Sequence, residues 1–482
     1  MNKRLATLAL AALPALVLSA CNGGTGGGNS ALAPLPNSAQ ASHAGRAHGL
    51  DNGPKDLHAG GATFPAYAYN LASQPVGLGT QPQAPPGQGS LFYAAPTNGT
   101  IFYCLTGSGY GRAEFTTNNG TATTACAALG ASPTGFGARV DPLDFVGSDV
   151  ALKSSEYTTY KANRESGSVQ WGEPFEFPTI GGPIVYGFRP QDFVPSNIKL
   201  STWTYCAITN GTVSDWNDPA ITADNGSSVT GGVSQTISFF FRSDSSGTSY
   251  LFTNHLNTAC NVAFKPPYNK PPYGSPSRSA AWTYGVSSTW PGPGSSGNPN
   301  PHFTGESGNP GVLAAIQATA FGTGYVEGAY AASASPAVSQ ALLQNGYSKT
   351  TGAIWTDPTN KKQVKGALKK VTSKAITYGE GSDSVPLGTS APWCILYIDP
   401  KNWVSPPTNT YPIVGVSYWL FYGKNNGVHV GDKKAIINYL ATSKNAARII
   451  DKLEYIPLPA SIHTAITNAL NGNGGSEPAC LQ

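Results

Sequence analysis

The sequence predicts an α/β fold divided between two lobes, and three observations predict it. Strand-like runs alternate with helical stretches, the arrangement of sheets covered by helices on both faces. About 425 residues follow the leader and tether described below, too many for one ordinary hydrophobic core. Short glycine- and serine-rich turns recur at strand exits and helix entries, where open α/β sheets place their clefts. Taken in chain order, Leu91-Phe92-Tyr93 and Ile101-Phe102-Tyr103 read as strands, and Pro183 to Phe188 as another. Thr236 to Phe241 is an apolar strand followed by a helix-like run, Tyr250 to Leu256. A long helix is expected over about Lys433 to Asp451, with Ile436, Ile437, Leu440, Ala447 and Ile450 on one side.

The first 21 residues read as a targeting leader and not as part of the fold. Lys3 and Arg4 form its basic end, Leu5 to Leu18 its short apolar stretch. Leu18-Ser19-Ala20-Cys21 has the pattern of a bacterial lipoprotein processing site, with Cys21 as the lipidated terminus; a plain secretory peptide cut at the same place is the alternative. Residues 22–57 lack aromatics and are rich in Gly, Ala, Ser and Asn, as expected of a flexible tether. No other segment approaches the roughly 18 apolar residues needed to span a bilayer, so attachment to a membrane is expected through lipid only. Beyond Cys21 six cysteines remain, an even number in an exported chain and so the arithmetic of disulfides. None of them has the pair spacing of a metal site, and no metal or cofactor is expected. Charged residues make up 11% of the chain and the formal charge is +4, which argues against a nucleic-acid partner with its concentrated basic stripe.

The densest signal is Arg242-Ser243-Asp244-Ser245-Ser246-Gly247-Thr248, directly after the apolar run Ile237 to Phe241. A strand-to-helix turn of this kind aims free backbone N–H groups and the positive end of a helix dipole at one point. Ser246 and Thr248 add hydroxyls, and Arg242 a planar fork suited to two oxygens of a tetrahedral anion. The plainer reading is an arginine paired with Asp244 beside an ordinary capping serine. Three further turns tilt the balance towards an oxyanion site. Gly60-Gly61-Ala62-Thr63-Phe64-Pro65 reads as a helix entry, Gly107-Ser108-Gly109-Tyr110-Gly111 as a small-residue turn, and Asp144-Phe145-Val146-Gly147-Ser148-Asp149 as a strand end projecting an acid.

The set GGATFP, GSGYG, DFVGSD and FRSDSSGTS resembles the signature of the phosphate-binding periplasmic proteins that feed the phosphate-specific ABC importer. The similarity continues through Pro178 to Gly182, Val213 to Ile221, Gly324 to Ala331, Tyr411 to Gly415 and Tyr455 to Pro459, and so runs from about residue 58 to about 470. It implies a periplasmic-binding-protein type II fold, two lobes joined by two crossover strands with the ligand in the cleft between them. Lobe one would comprise residues 58–182 and 408–482, and lobe two residues 183–407. Carried over by position, it assigns inorganic phosphate to Thr63, Phe64, Ser108, Asp149, Arg242, Ser246, Gly247 and Thr248. Asp149 would accept the phosphate proton, and Asp244 would stand behind Arg242 and orient it. With lobes so divided, sequential disulfides Cys104–Cys126, Cys206–Cys260 and Cys394–Cys480 would mostly close loops within one lobe.

The same resemblance implies a monomeric, non-enzymatic receptor, lipid-anchored in the periplasm or at the cell surface, that delivers phosphate to importer permease subunits. A scavenger or adhesin on the same fold, surface-exposed or secreted and without a dedicated transporter, is the alternative. A phosphatase is a weaker one: Gly107-Ser108-Gly109 lacks the five-residue nucleophile elbow, and the seven histidines show no paired metal spacing. His255 lies close to the anion helix, and a helix-surface position explains it equally well. Residues 75–100, 114–137 and 263–310 depart from the family pattern and read as loop-rich surface inserts.

Overall fold

The computed structural model describes residues 56–72, 85–117, 143–166, 170–424 and 429–482. The leader, Cys21, nearly all of the expected tether, and Cys126 lie outside them. In chain order the elements are β1 (Leu57–Gly61), α1 (Ala66–Asn70), α2 (Leu91–Ala94), β2 (Ile101–Cys104), α3 (Ser108–Thr117), β3 (Phe145–Ser148), α4 (Ser154–Arg164) and β4 (Phe175–Phe188). Then follow β5 (Lys199–Leu200), α5 (Thr202–Thr209), α6 (Pro219–Asn225), β6 (Ser238–Arg242), α7 (Gly247–Ala259), β7 (Phe303–Glu306), α8 (Gly308–Ala318), β8 (Gly322–Glu327) and α9 (Gly328–Ala332). The chain ends with β9 (Ser339–Gln340), β10 (Leu342–Ser348), β11 (Gly352–Thr356), α10 (Lys361–Ala367), β12 (Ile376–Tyr378), β13 (Leu396–Ile398), β14 (Val414–Phe421), α11 (Val430–Thr442), α12 (Lys444–Lys452), β15 (Ile456–Pro457) and α13 (Ala460–Leu470).

The main sheet runs β2-β1-β3-β14-β4-β8-β6-β7. At its centre β4 is a 14-residue strand, buried throughout, whose near-continuous apolar run suits a strand covered on both faces. Its first part pairs antiparallel with β14, from Phe175 to Pro183, and its last part with β8, from Ile184 to Phe188. The partner switch between Pro183 and Ile184 divides the sheet into two halves. In one half β2, β1 and β3 are parallel, and in the other β6, β7 and β8 are parallel. Each half therefore sends its strand exits to one edge, and both edges meet at the cleft.

Each half is built round aromatic rings. Tyr69, Phe92, Phe145 and Trp419 lie within 6.0 Å of one another in successive pairs, with Tyr69 donating to or accepting from Thr179 Oγ1 at 2.8 Å. In the other half Phe252 stacks on Tyr325 at 4.4 Å, and Trp290 stacks on Phe241 at 5.3 Å and on Tyr325 at 5.4 Å. Trp290 comes from residues 263–310, which the sequence presents as a surface loop. The structure corrects that reading. Trp282 and Trp290 are buried core residues, each indole N–H is satisfied by a nearby carbonyl, and the stretch ends in β7 and the start of α8. Ser288 O also accepts the Ser246 N–H at 2.9 Å, so the insert props the entry to α7.

Other expectations are revised as well. Leu91–Ala94 is a short helix, capped by Ser90 Oγ accepting from Tyr93 N, where three aromatic or branched residues suggested a strand. The long C-terminal helix is two, α11 and α12, because Ser443 leaves the helical region (φ −83°, ψ 121°) and caps the second with its hydroxyl. His255 faces the core and bonds Tyr205 Oη through Nε2 at 2.9 Å; burial pushes its pKa down to about 4. β1 begins at Leu57, the last residue of the expected tether. Two disulfides stand as expected, Cys206–Cys260 and Cys394–Cys480, with Cα separations of 5.7 and 5.5 Å. Cys104 is disulfide-bonded too, and its expected partner Cys126 lies outside the described residues. Residues 376–398, within the span expected for lobe two, pack against the β1–β3 half: Ile395 bridges Glu176, and Asp383 accepts from Ser154 N.

Candidate functional site

The β6–β8 half supplies the cation. Arg242, the last residue of β6, is 1% exposed. Its Nε donates to Asp244 Oδ1 at 2.6 Å, Nη2 pairs with Asp244 Oδ2, and Nη1 donates to Thr248 Oγ1 at 3.2 Å. Asp244 thus takes the side-on edge of the guanidinium and leaves the end-on edge turned to Thr248. Burial disfavours the Arg242 cation, but Asp244, Tyr325 and Asp149 outweigh it and raise its pKa. Ser246 is the N-cap of α7, its Oγ accepting from Ser249 N at 3.1 Å. The first N–H groups of that 13-residue helix have no intrahelical acceptor, so its positive end is open to an anion.

The β1–β3 half supplies hydroxyls, amides and an acid. Gly61 (φ +122°) lets β1 pass close to β3: a Cβ there would sit 2.1 Å from Gly147 O. The chain then turns through Thr63 and Phe64, which two tyrosines fix, Tyr330 Oη donating to Thr63 O at 2.9 Å and Tyr455 Oη lying 2.6 Å from Phe64 O. Ser108 opens α3; its Oγ accepts from Asp149 N at 3.1 Å and donates to Asp149 Oδ2 at 3.4 Å.

The two halves touch at these residues. Gly109 N donates to Ser245 O at 2.9 Å. A Cβ on Gly247 would lie 2.3 Å from Ser108 Oγ and 2.4 Å from Asp149 Oδ2, so only glycine lets α7 approach this closely. All eight sequence-predicted contact residues, with Asp244 behind Arg242, are thereby gathered at one cleft.

Asp149 is the electrostatic outlier. It is 2% exposed, and its Oδ1 accepts no hydrogen bond. Burial pushes its carboxyl up to about 7, with Ser417, Arg242, Ser108 and Arg112 pulling it back. Such an oxygen is costly unless a donor meets it. Glu327 nearby is also fully buried, and burial raises it to about 8. Its Oε2 is 2.8 Å from Tyr455 Oη, whose single hydrogen can reach the Phe64 carbonyl only when Glu327 holds the proton.

Sequence reasoning missed Asn309, Glu327, Tyr330 and Tyr455. Asn309 joins Thr63 to Thr248 through hydrogen bonds of 3.1 and 3.2 Å. Its signal was the one used elsewhere, a strand (Phe303–Glu306) leading through Ser307-Gly308 into a helix, but it lay inside the stretch read as a loop. Among the described residues no cluster of His, Cys, Asp or Glu could hold a metal, and no helix is long and apolar enough to cross a membrane.

A family model described as a PBP superfamily domain matches residues 94–443. The chain belongs to the PBP superfamily. Thr63 and Phe64 precede the matched span and Tyr455 follows it; the other site residues fall inside it. A relative in Mycobacterium bovis BCG, phosphate-binding protein PstS2, is 27% identical over 467 residues, covering 97% of each chain. Phosphate-binding protein PstS 3 of Mycobacterium leprae is 26% identical over 332 residues, 68% of this chain and 73% of that one. Two solved structures share the superfamily fold at 20% identity. The ancestral soluble variant of the human phosphate binding protein has a TM-score of 0.59, covering 89% of this chain and 99% of that one. The phosphate-binding protein from Stenotrophomonas maltophilia has a TM-score of 0.57, covering 88% and 98%. The fold is the two-lobed, type II α/β arrangement that the sequence predicts.

Proposed function

We propose that this chain is an exported receptor for inorganic phosphate, the substrate-binding component of an ABC importer. The observation that carries the reading is the unpaired, buried Oδ1 of Asp149 at a cleft otherwise lined by donors. Phosphate near neutral pH is the tetrahedral anion that brings a proton for such an oxygen. The relatives' names point the same way: both mycobacterial proteins are called phosphate-binding proteins.

In this reading the ligand sits between the β1–β3 and β6–β8 halves. Arg242 offers its end-on edge, Thr63, Ser108, Ser246 and Thr248 their hydroxyls, and Phe64, Gly247 and the first turns of α3 and α7 their N–H groups. Because Arg242 is already paired with Asp244, the ligand charge is met mainly by oriented dipoles in a dry site, where they act strongly. No bond is made or broken; the chemistry is binding and release. The two lobes are taken as residues 58–182 with 408–482, and 183–407 without the 376–398 stretch that packs on the first, and they close on the ligand by a hinge where β4 and the chain leading into β14 cross between them.

The remaining parts of the reading are a lipid anchor on Cys21 in the periplasm or at the cell surface, a monomer, and docking to importer permease subunits. Binding of phosphate by the mature, ligand-stripped protein tests the core of it. Saturation at one phosphate per chain, without release of any product, is the expected result; absence of binding would overturn it.

A further inference from the structure

Asn309 stands at the point where the two halves of the site meet, on the first turn of α8. It is fully buried, and every polar atom of its side chain is engaged. Oδ1 accepts from Glu327 N at 3.1 Å. That backbone N–H can only donate, so it fixes the amide: the NH2 group must face the opposite way. There Nδ2 has two hydrogens and two acceptors, Thr63 Oγ1 at 3.1 Å and Thr248 Oγ1 at 3.2 Å. Asn309 N adds a second hydrogen bond to Thr63 Oγ1 at 3.2 Å. Arg242 Nη1 adds a second to Thr248 Oγ1, also at 3.2 Å.

A hydroxyl has two lone pairs and one hydrogen. In Thr63 and in Thr248 both lone pairs are occupied by N–H donors, so neither oxygen can accept from a ligand. Each has only its hydrogen left to offer. Two threonines from opposite halves of the cleft are thereby set as donors before any ligand arrives. We infer that Asn309 is a positioning residue for the anion: it locks the Thr63 and Thr248 hydroxyls in the donating sense and, by binding both, ties closure of the halves to a ligand made of acceptors. The inference rests on the phosphate reading of the site and adds to it a residue that does not itself contact the ligand. It also gives Glu327 a role, since the backbone N–H of that residue sets the amide.

The test compares two substitutions whose order differs between a positioning and a packing role. Asn309→Asp keeps the shape but replaces the NH2 donor by an acceptor, so both threonine hydrogens turn to the new carboxylate and away from phosphate. Asn309→Ala leaves a cavity but frees both hydroxyls to rotate towards the ligand. Phosphate affinity should fall by roughly 100-fold or more in Asn309→Asp and by only about 10-fold in Asn309→Ala. In a Thr63→Val, Thr248→Val background the Asn309→Asp loss should shrink by about tenfold, to what the added carboxylate costs by repelling the anion, because the hydroxyls it misdirects are gone. Binding is measured by calorimetry with inorganic phosphate, beside the wild-type protein. A larger loss in Asn309→Ala than in Asn309→Asp, or an undiminished Asn309→Asp loss in the double-valine background, would overturn the inference while leaving the phosphate reading intact. Wild-type protein that binds no phosphate would sink both.

Discussion

Replacing Asp149 by Asn removes a buried charge and a proton acceptor in one step, and the two losses act in opposite directions. The carboxyl is 2% exposed and is pushed by burial from its ordinary 3.8 to about 7. A folded-state pKa above the unfolded value means that folding takes up a proton. The share of stability tied to Asp149 is fully present below pH 3.8 and is lost as pH rises to about 7. At pH 8 the loss approaches about 4 kcal/mol, and at pH 5 it is about 2 kcal/mol. An amide, always neutral, avoids it. For the roughly 380 described residues the unfolding entropy is roughly 0.8 kcal/mol/K, so the ligand-free Asp149→Asn variant should melt ~5 °C above wild type at pH 8 and ~2 °C above it at pH 5. Binding moves the other way. At pH 8, where Asp149 is ionised, sulfate, which has no proton, meets the wild-type carboxylate oxygen to oxygen, a penalty of about 3 kcal/mol or ~100-fold against phosphate. Asp149→Asn can present its NH2 group, so the preference for phosphate should shrink by most of that factor. The assays are a pH series of thermal melts on ligand-free protein and competition of sulfate against phosphate. A melting gain that is the same at pH 5 and pH 8, or a variant that keeps the full preference for phosphate, would refute the reasoning.

Arg242→Ala should weaken phosphate binding by roughly 2–5 kcal/mol and Ser246→Ala by about 1 kcal/mol, since the first also strands Asp244 without its cation; calorimetric affinities that fall equally would place Arg242 off the ligand. Gly247→Ala puts a methyl 2.3 Å from Ser108 Oγ and 2.4 Å from Asp149 Oδ2, so the halves must part and phosphate affinity by calorimetry should fall at least ~100-fold. An affinity within about threefold of wild type would show that the halves need not approach this closely. Glu176 is fully buried in β4, with Oε2 accepting from Leu152 N and Oε1 unpaired, and burial pushes it up to about 8. The stabilising effect of Glu176→Gln should therefore grow as pH rises from about 4.5 to 8, towards about 5 kcal/mol; thermal melts showing no such pH dependence would contradict it.

The site was legible because its residues are local to short, distinctive turns. Arg242 to Thr248 and Ser108 sit where a strand must stop and a helix start, and glycine and serine mark such places in any sequence. What stayed hidden depends on contacts far apart in the chain. Asn309 reaches Thr63 from 246 positions away, and the stretch before it is poor in regular structure and rich in Pro, Gly and Ser. Trp290 in that stretch is a core residue because β6, α7 and β8 present rings for it to cover, and Trp282 packs on Trp290 in turn. His255 looked like a surface residue because apolar neighbours mark only one stripe of a helix. In fact α7 is buried on several sides, and Leu251 is packed hard against Gly415 of β14. The break at Ser443 is a cap competing with a continuous apolar pattern, and the cap prevails.

The central claim, a phosphate receptor with a proton-reading carboxylate, is tested most directly by isothermal calorimetry of the mature protein stripped of carried-over ligand by partial unfolding. Titration with inorganic phosphate should give saturable binding at one per chain, accompanied by a rise in melting temperature with ligand concentration. No heat and no rise in melting temperature would contradict the account.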